Sequence, residues 1–119
     1  MILLVDDDED IRSLFVQILS HIPTITATNA HEALQILDLM ARPSVVLLDM
    51  KMPEGDGNEF LAGWQERGQP CPVVVLSGYI EKLKEKYAGL ISEILEKPIA
   101  ASRLKELAAM YELKAAGKL

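Results

Sequence analysis

Three runs of four apolar residues, each cut off by a polar side chain, constrain this chain more than any other feature. They are Ile2 to Val5, Val45 to Leu48 and Val73 to Leu76. Such runs are too short for helices and show no polar alternation, so they predict strands buried on both faces, the usual state in a parallel sheet. Thr24 to Ala27 is short and mixed in polarity, which predicts a strand nearer an edge. Ser92 to Glu96 contains the last strand, ending at Lys97-Pro98.

Helical patterns fill the gaps. Ile11, Leu14, Phe15, Ile18, Leu19 and Ile22 recur at helical spacing as one apolar stripe, with Asp8, Glu9 and Asp10 before or within the first turn, where acids are favoured. Pro23 stops this helix, and His21 at its end suits the helix dipole. Asn29 caps a second helix with a stripe of Ala33, Leu34, Leu37 and Met40-Ala41, closed by Arg42-Pro43 because the residue before proline avoids helical geometry. A third, from about Gly57 to Gly68, carries Phe60, Leu61 and Trp64. Ile80, Leu83 and Tyr87 suggest a short helix ended by Gly89. Leu104, Leu107, Ala108 and Tyr111 mark the final one, running towards Ala115.

Strands alternating with helices predict an α/β fold, a parallel sheet covered on both faces. The 119 residues fit one domain, 1–119, with no repeats or linker. No apolar run reaches membrane-spanning length, and MILLVDDD lacks a basic secretory leader, so a cytoplasmic location is expected. A formal charge of −6 argues against nucleic acid as a direct partner. Cys71, the only cysteine, sits between two prolines and reads as a turn thiol rather than a nucleophile. His21 and His31 lack metal-pair spacing.

Polar residues recur at the strand ends: Asp6-Asp7 after the first, Asp49 after the third, Ser77 after the fourth and Lys97 after the fifth. Strand capping explains each one singly. In a doubly wound sheet, however, all strand carboxyl ends open on one edge, where ligands bind. Clustered carboxylates repel one another, and a hard divalent cation relieves the crowding; Mg²⁺ suits a few carboxylates plus water and a phosphoryl oxygen. Asp49 then has the chemistry of an oxygen nucleophile towards phosphorus. Lys97 offers a compact positive charge to one phosphoryl oxygen and Ser77 a hydroxyl donor to another.

The segments ILLVDDDEDIR, VVLLDMKMPEGDG, VVVLSGY and EKPI, in this order and spacing, resemble the receiver domain of two-component response regulators over essentially the whole chain. The resemblance implies a flavodoxin-like, doubly wound, five-stranded parallel sheet of order 2-1-3-4-5 with helices on both faces. It implies that Asp49 accepts a phosphoryl group from the phosphohistidine of a histidine kinase or histidine phosphotransfer protein, switching partner contacts. It further implies direct Mg²⁺ ligation by Asp7, Asp49 and the backbone carbonyl of Lys51, with Asp6 acting mostly through water. Ser77 and Lys97 become the switch hydroxyl and the phosphoryl-binding lysine, and the peptide before Pro98 is expected to be cis.

The chain also departs from the family. Ile94 stands where receivers usually carry a switch aromatic, three residues before the lysine, so aromatic rotation is not the expected read-out. Gly89-Leu90 replaces the common Gly-Ala pair. Lys51 and Tyr79 are expected at the site mouth, where Lys51→Ala should change the lifetime of the acyl phosphate more than its formation. A strip of Lys82, Lys84 and Lys86 reads as a solvated helix face.

The expected protein is not a turnover enzyme; it catalyses only its own phosphorylation and dephosphorylation. As an assembly it is expected to be a monomer or weak homodimer, and Met1 directly before the first strand favours a natural or trimmed single domain. Two other readings stand beside this one. An aspartate-nucleophile phosphatase of the haloacid-dehalogenase type would use Asp8 as its acid/base, although no later acidic pair follows Lys97. A pseudo-receiver would act through contacts without phosphorylation. A Walker-type NTPase lacks its glycine-rich loop.

Overall fold

The computed structural model describes residues 1–39, 42–50, 56–78 and 89–118. Five parallel strands, β1 (Ile2–Val5), β2 (Thr24–Ala27), β3 (Val45–Asp49), β4 (Val73–Ser77) and β5 (Glu93–Glu96), form one sheet of order β2-β1-β3-β4-β5. Among the described residues there are four helices: α1 (Glu9–Ile18), α2 (Ala30–Leu39) and α3 (Asp56–Glu66) between strands, and α4 (Ala101–Ala115) after β5. The flavodoxin-like order expected from the resemblance is therefore the observed one. The expected helix around Ile80, Leu83 and Tyr87 lies outside the described residues, as do Met40, Ala41, Lys51, Tyr79, Lys82, Lys84 and Lys86.

The unbroken apolar runs belong to the three inner strands, every residue of which is buried. Because successive side chains point to opposite faces, each run feeds two cores at once. Leu3, Val5, Val46, Leu48, Val73 and Val75 pack with Ala30, Ala33, Phe60, Leu61 and Trp64 on the face of α2 and α3. Ile2, Leu4, Val45, Leu47, Val74 and Leu76 pack with Phe15, Leu19, Leu104, Leu107, Ala108 and Tyr111 on the face of α1 and α4. The outer strands β2 and β5 are only partly buried, which explains why their sequences are mixed.

Local signals act largely as their chemistry dictates. The Asp8 carboxylate accepts hydrogen bonds from the amides of Asp10 and Ile11 and caps α1. Asn29 does the same for α2, its Oδ1 accepting from the Glu32 amide at 2.8 Å. The α3 end turns through Gly68 at φ +76°, and the Trp64 indole donates to the Cys71 carbonyl at 2.9 Å.

Two local expectations need correction, and a third gains detail. Helix α1 stops at Ile18, short of Pro23, so His21 lies beyond its last turn and not at its dipole; the chain tightens there through Ser20 to Gln17 and Ile22 to Leu19 backbone bonds. Leu14 belongs to the apolar spacing but remains 48% exposed, because Phe15 and Leu19 take the buried side of the helix. Cys71 lies in the bend expected before β4 and is buried in the α2/α3 core, where burial pushes its pKa up to about 11, in keeping with a thiol that is no nucleophile.

Candidate functional site

The register of the sheet assembles the strand tips. Val5 pairs with Leu48 and Asp49 with Leu76, so β1, β3 and β4 end almost level. Asp49 and Ser77 are the last residues of their strands, while Asp6 and Lys97 stand one residue beyond theirs. Asp6 continues the ladder, its amide donating to the Ala27 carbonyl at 3.1 Å, and the Lys97 amide donates to the Ser77 carbonyl at 2.9 Å. The tips are thus held by backbone bonds before any side chain contributes.

Carboxylate oxygens of Asp6, Asp7 and Asp49 lie within 4.8 Å of one another, with Asp6 and Asp49 buried and Asp7 exposed. The Lys97 ammonium donates to Asp49 Oδ1 at 2.7 Å. The sheet therefore brings together Asp6, Asp7, Asp49 and Lys97, four of the residues singled out from sequence. Ser77 is buried at the neighbouring tip of β4, and Lys51 falls outside the described residues. The peptide between Lys97 and Pro98 is cis, as the resemblance implies.

The electrostatics are unbalanced. Asp6 Oδ1 accepts from the Asp8 amide at 2.9 Å, whereas Asp6 Oδ2 is buried with no hydrogen-bond donor. The Asp6 pKa is raised to about 6: burial is the largest cause and the nearby Asp49 carboxylate adds to it, while the Asp8 amide and Lys97 only partly oppose the rise. A buried acid oxygen without a donor, among three carboxylates and one lysine, is what a hard cation with oxygen ligands completes. The donor set fits Mg²⁺.

Sequence reasoning missed one neighbour. Arg12 Nη1 donates to the Asp6 backbone carbonyl at 2.8 Å. An arginine amid a helix's polar positions reads as solvated, and its six-residue distance from Asp6 became meaningful only once α1 folded back over the β1 tip. Asp8 also finds its place: its carboxylate is turned to the α1 amides and is not among the three clustered acids. A groove of about 780 Å³ opens beside the acids, its apolar side formed by Ile11, Leu14, Phe15, Pro98 and Ile99.

Fold and site together define a class: a doubly wound α/β domain whose strand tips gather carboxylates against a lysine. The chain belongs to the response regulator receiver domain family, whose model matches residues 2–109. It is 41% identical over 87 residues to a protein-glutamate methylesterase/protein-glutamine glutaminase of Methanosarcina barkeri, covering 70% of this chain and 23% of that protein. It is 34% identical over 108 residues to the response regulator MprA of Mycobacterium ulcerans, covering 87% of this chain and 46% of that protein. The chain thus spans less than half the length of these curated relatives. Among solved structures, the receiver domain of NtrX from Brucella abortus superposes with a TM-score of 0.77 at 35% identity, covering 93% of this chain and 97% of that one. Receiver domains of this family are signalling modules of two-component systems. Among the described residues no helix is long and apolar enough to cross a membrane.

Proposed function

We propose that this receiver domain takes a phosphoryl group onto Asp49 from the phosphohistidine of a histidine kinase or a histidine phosphotransfer protein. An Asp49 carboxylate oxygen attacks phosphorus, the bond from phosphorus to the imidazole nitrogen breaks, and the imidazole leaves. The observation that carries this reading is the Lys97 ammonium 2.7 Å from Asp49 Oδ1, in a cluster with the Asp6 carboxylate, one oxygen of which has no donor. Lys97 is positioned to exchange its carboxylate partner for a phosphoryl oxygen, and Ser77 at the adjacent tip to supply a hydroxyl to another.

Asp6, Asp7, Asp49 and the Lys51 carbonyl would hold Mg²⁺. When bound, the ion offsets the crowding of the acids and the charge of the phosphoryl oxygens. The chain's own contribution is rigid placement: the acceptor ends a strand locked on both sides, so little reorganisation accompanies the transfer. The groove beside the acids, with Leu14 and Ile99 on its apolar side, suits a phosphohistidine presented on an amphipathic helix.

Intact-mass analysis with Mg²⁺ and a small phosphodonor tests the reading. One added phosphoryl group on the parent, absent from Asp49→Asn, is the expected result. No adduct on the parent, or catalytic turnover of a phosphomonoester, would overturn it.

A further inference from the structure

Arg12 stands outside the acid cluster, yet it is bound to the segment that carries two of the three acids. Its guanidinium Nη1 donates to the Asp6 carbonyl at 2.8 Å, and its backbone amide donates to the Asp8 carbonyl at 3.0 Å. The Asp6 carbonyl belongs to the peptide unit joining Asp6 to Asp7. Fixing that plane restrains the Cα atoms from which both side chains leave the backbone.

The remaining polar groups of Asp6 are also assigned. Its amide goes to Ala27, Oδ1 takes the Asp8 amide, and Oδ2 is buried without a donor. Arg12 therefore completes a frame of three hydrogen bonds that leaves one oxygen of Asp6 for a ligand. The guanidinium bonds to a backbone carbonyl and not to a carboxylate, so in this contact it does not compete for the acid oxygens. Lys97 acts differently, since it occupies Asp49 directly.

We propose that Arg12 is a positioning residue that orients Asp6 and Asp7 as divalent-cation ligands. This inference rests on the proposed Mg²⁺-dependent function of the same site. Groups that act through a metal ligand and not on the ion alter affinity by about 10- to 100-fold when removed. Arg12 acts at that remove, through a peptide unit, and the lower end of that range applies.

The test is Mg²⁺ titration by calorimetry on the parent, Arg12→Ala and Arg12→Lys, each checked to be folded at the titration temperature. Arg12→Ala should bind Mg²⁺ about tenfold more weakly. Arg12→Lys, which keeps one cationic donor for the Asp6 carbonyl, should recover most of the loss. Phosphoryl uptake by Arg12→Ala from a small phosphodonor should return to the parental rate when Mg²⁺ is raised to saturation. A purely structural arginine would lower the melting temperature and leave the affinity of the folded protein unchanged. Parental affinity in Arg12→Ala, or no difference between Arg12→Ala and Arg12→Lys, overturns the inference. Failure of the parent itself to bind Mg²⁺ overturns the proposed function, which keeps the two failures distinct.

Discussion

Lys97 and Asp49 meet at 2.7 Å across the tip of β4, the ammonium of one bonded to Oδ1 of the other. Two inward-facing acids share this corner with one directly bonded lysine. Asp49 has that partner, whereas Asp6 relies on the Asp8 amide and keeps one oxygen without a donor.

The imbalance makes stability depend on pH in a definite direction. The folded-state pKa of Asp6 is raised to about 6 from an ordinary 3.8, so the folded chain holds this proton more tightly than the unfolded chain. The contribution is fully present below the ordinary value and is lost as pH rises through about 6. With chelator present, Asp6→Asn should therefore gain on the parent in melting temperature as pH rises from about 4 to about 7. Thermal melts across that range check it; parallel curves for the two proteins would refute the assignment.

The Asp8 cap has its own signature. Loss of a carboxylate that accepts from two helix amides costs about 0.5–2 kcal/mol, so Asp8→Ala should show a lower urea midpoint, while Asp8→Ser should stay near the parent. Because the Asp8 carboxylate is turned away from the clustered acids, phosphoryl uptake per folded molecule should change little in either variant. A collapse of uptake in Asp8→Ser would instead make Asp8 part of the chemistry.

Helices α2 and α3 meet at Gly63. A Cβ there would lie 2.5 Å from Leu34 Cδ1 and 2.9 Å from Cδ2, closer than atoms can stay. Overpacking of this kind costs about 1–3 kcal/mol, against up to about 1 kcal/mol gained from alanine's better helix propensity. Gly63→Ala should be net destabilising, and combining it with Leu34→Ala should be less costly than the two single effects added together. Denaturant melts of this double-mutant cycle supply the coupling; strict additivity would show that Leu34 moves aside freely.

Cys71 should be chemically silent in the native state. Its thiol is buried and its pKa is pushed up to about 11, so little thiolate exists at neutral pH. A disulfide exchange reagent should label it only after denaturant is added. Rapid labelling of the folded protein would show that the α2/α3 core opens locally.

The inner sheet was legible in the sequence because strands buried on both faces leave no alternative reading for ILLV, VVLL or VVVL. The site was legible for a related reason: Asp6, Asp49 and Ser77 end those apolar runs where a polar side chain would otherwise be costly, and Lys97 ends the last strand on the same edge. Leu14 was misread because periodicity shows which residues are apolar, not which side of a helix finds a cover, and the burial of Cys71 was not legible for the same reason. The α1 end was placed late because Ile22 keeps the helical spacing while packing from a turn. Arg12 was invisible because its partner is a backbone carbonyl, and carbonyls carry no letter in a sequence.

The pairing of β1 directly against β3 reaches beyond the site itself. Asp6 and Asp49 come from distant parts of the chain and become neighbours only when β1 and β3 have docked in register. A nascent, clipped or misregistered chain possesses all the same letters and none of the chemistry. Competence to receive a signal is thereby tied to completed assembly, and the domain proofreads its own folding before it can speak.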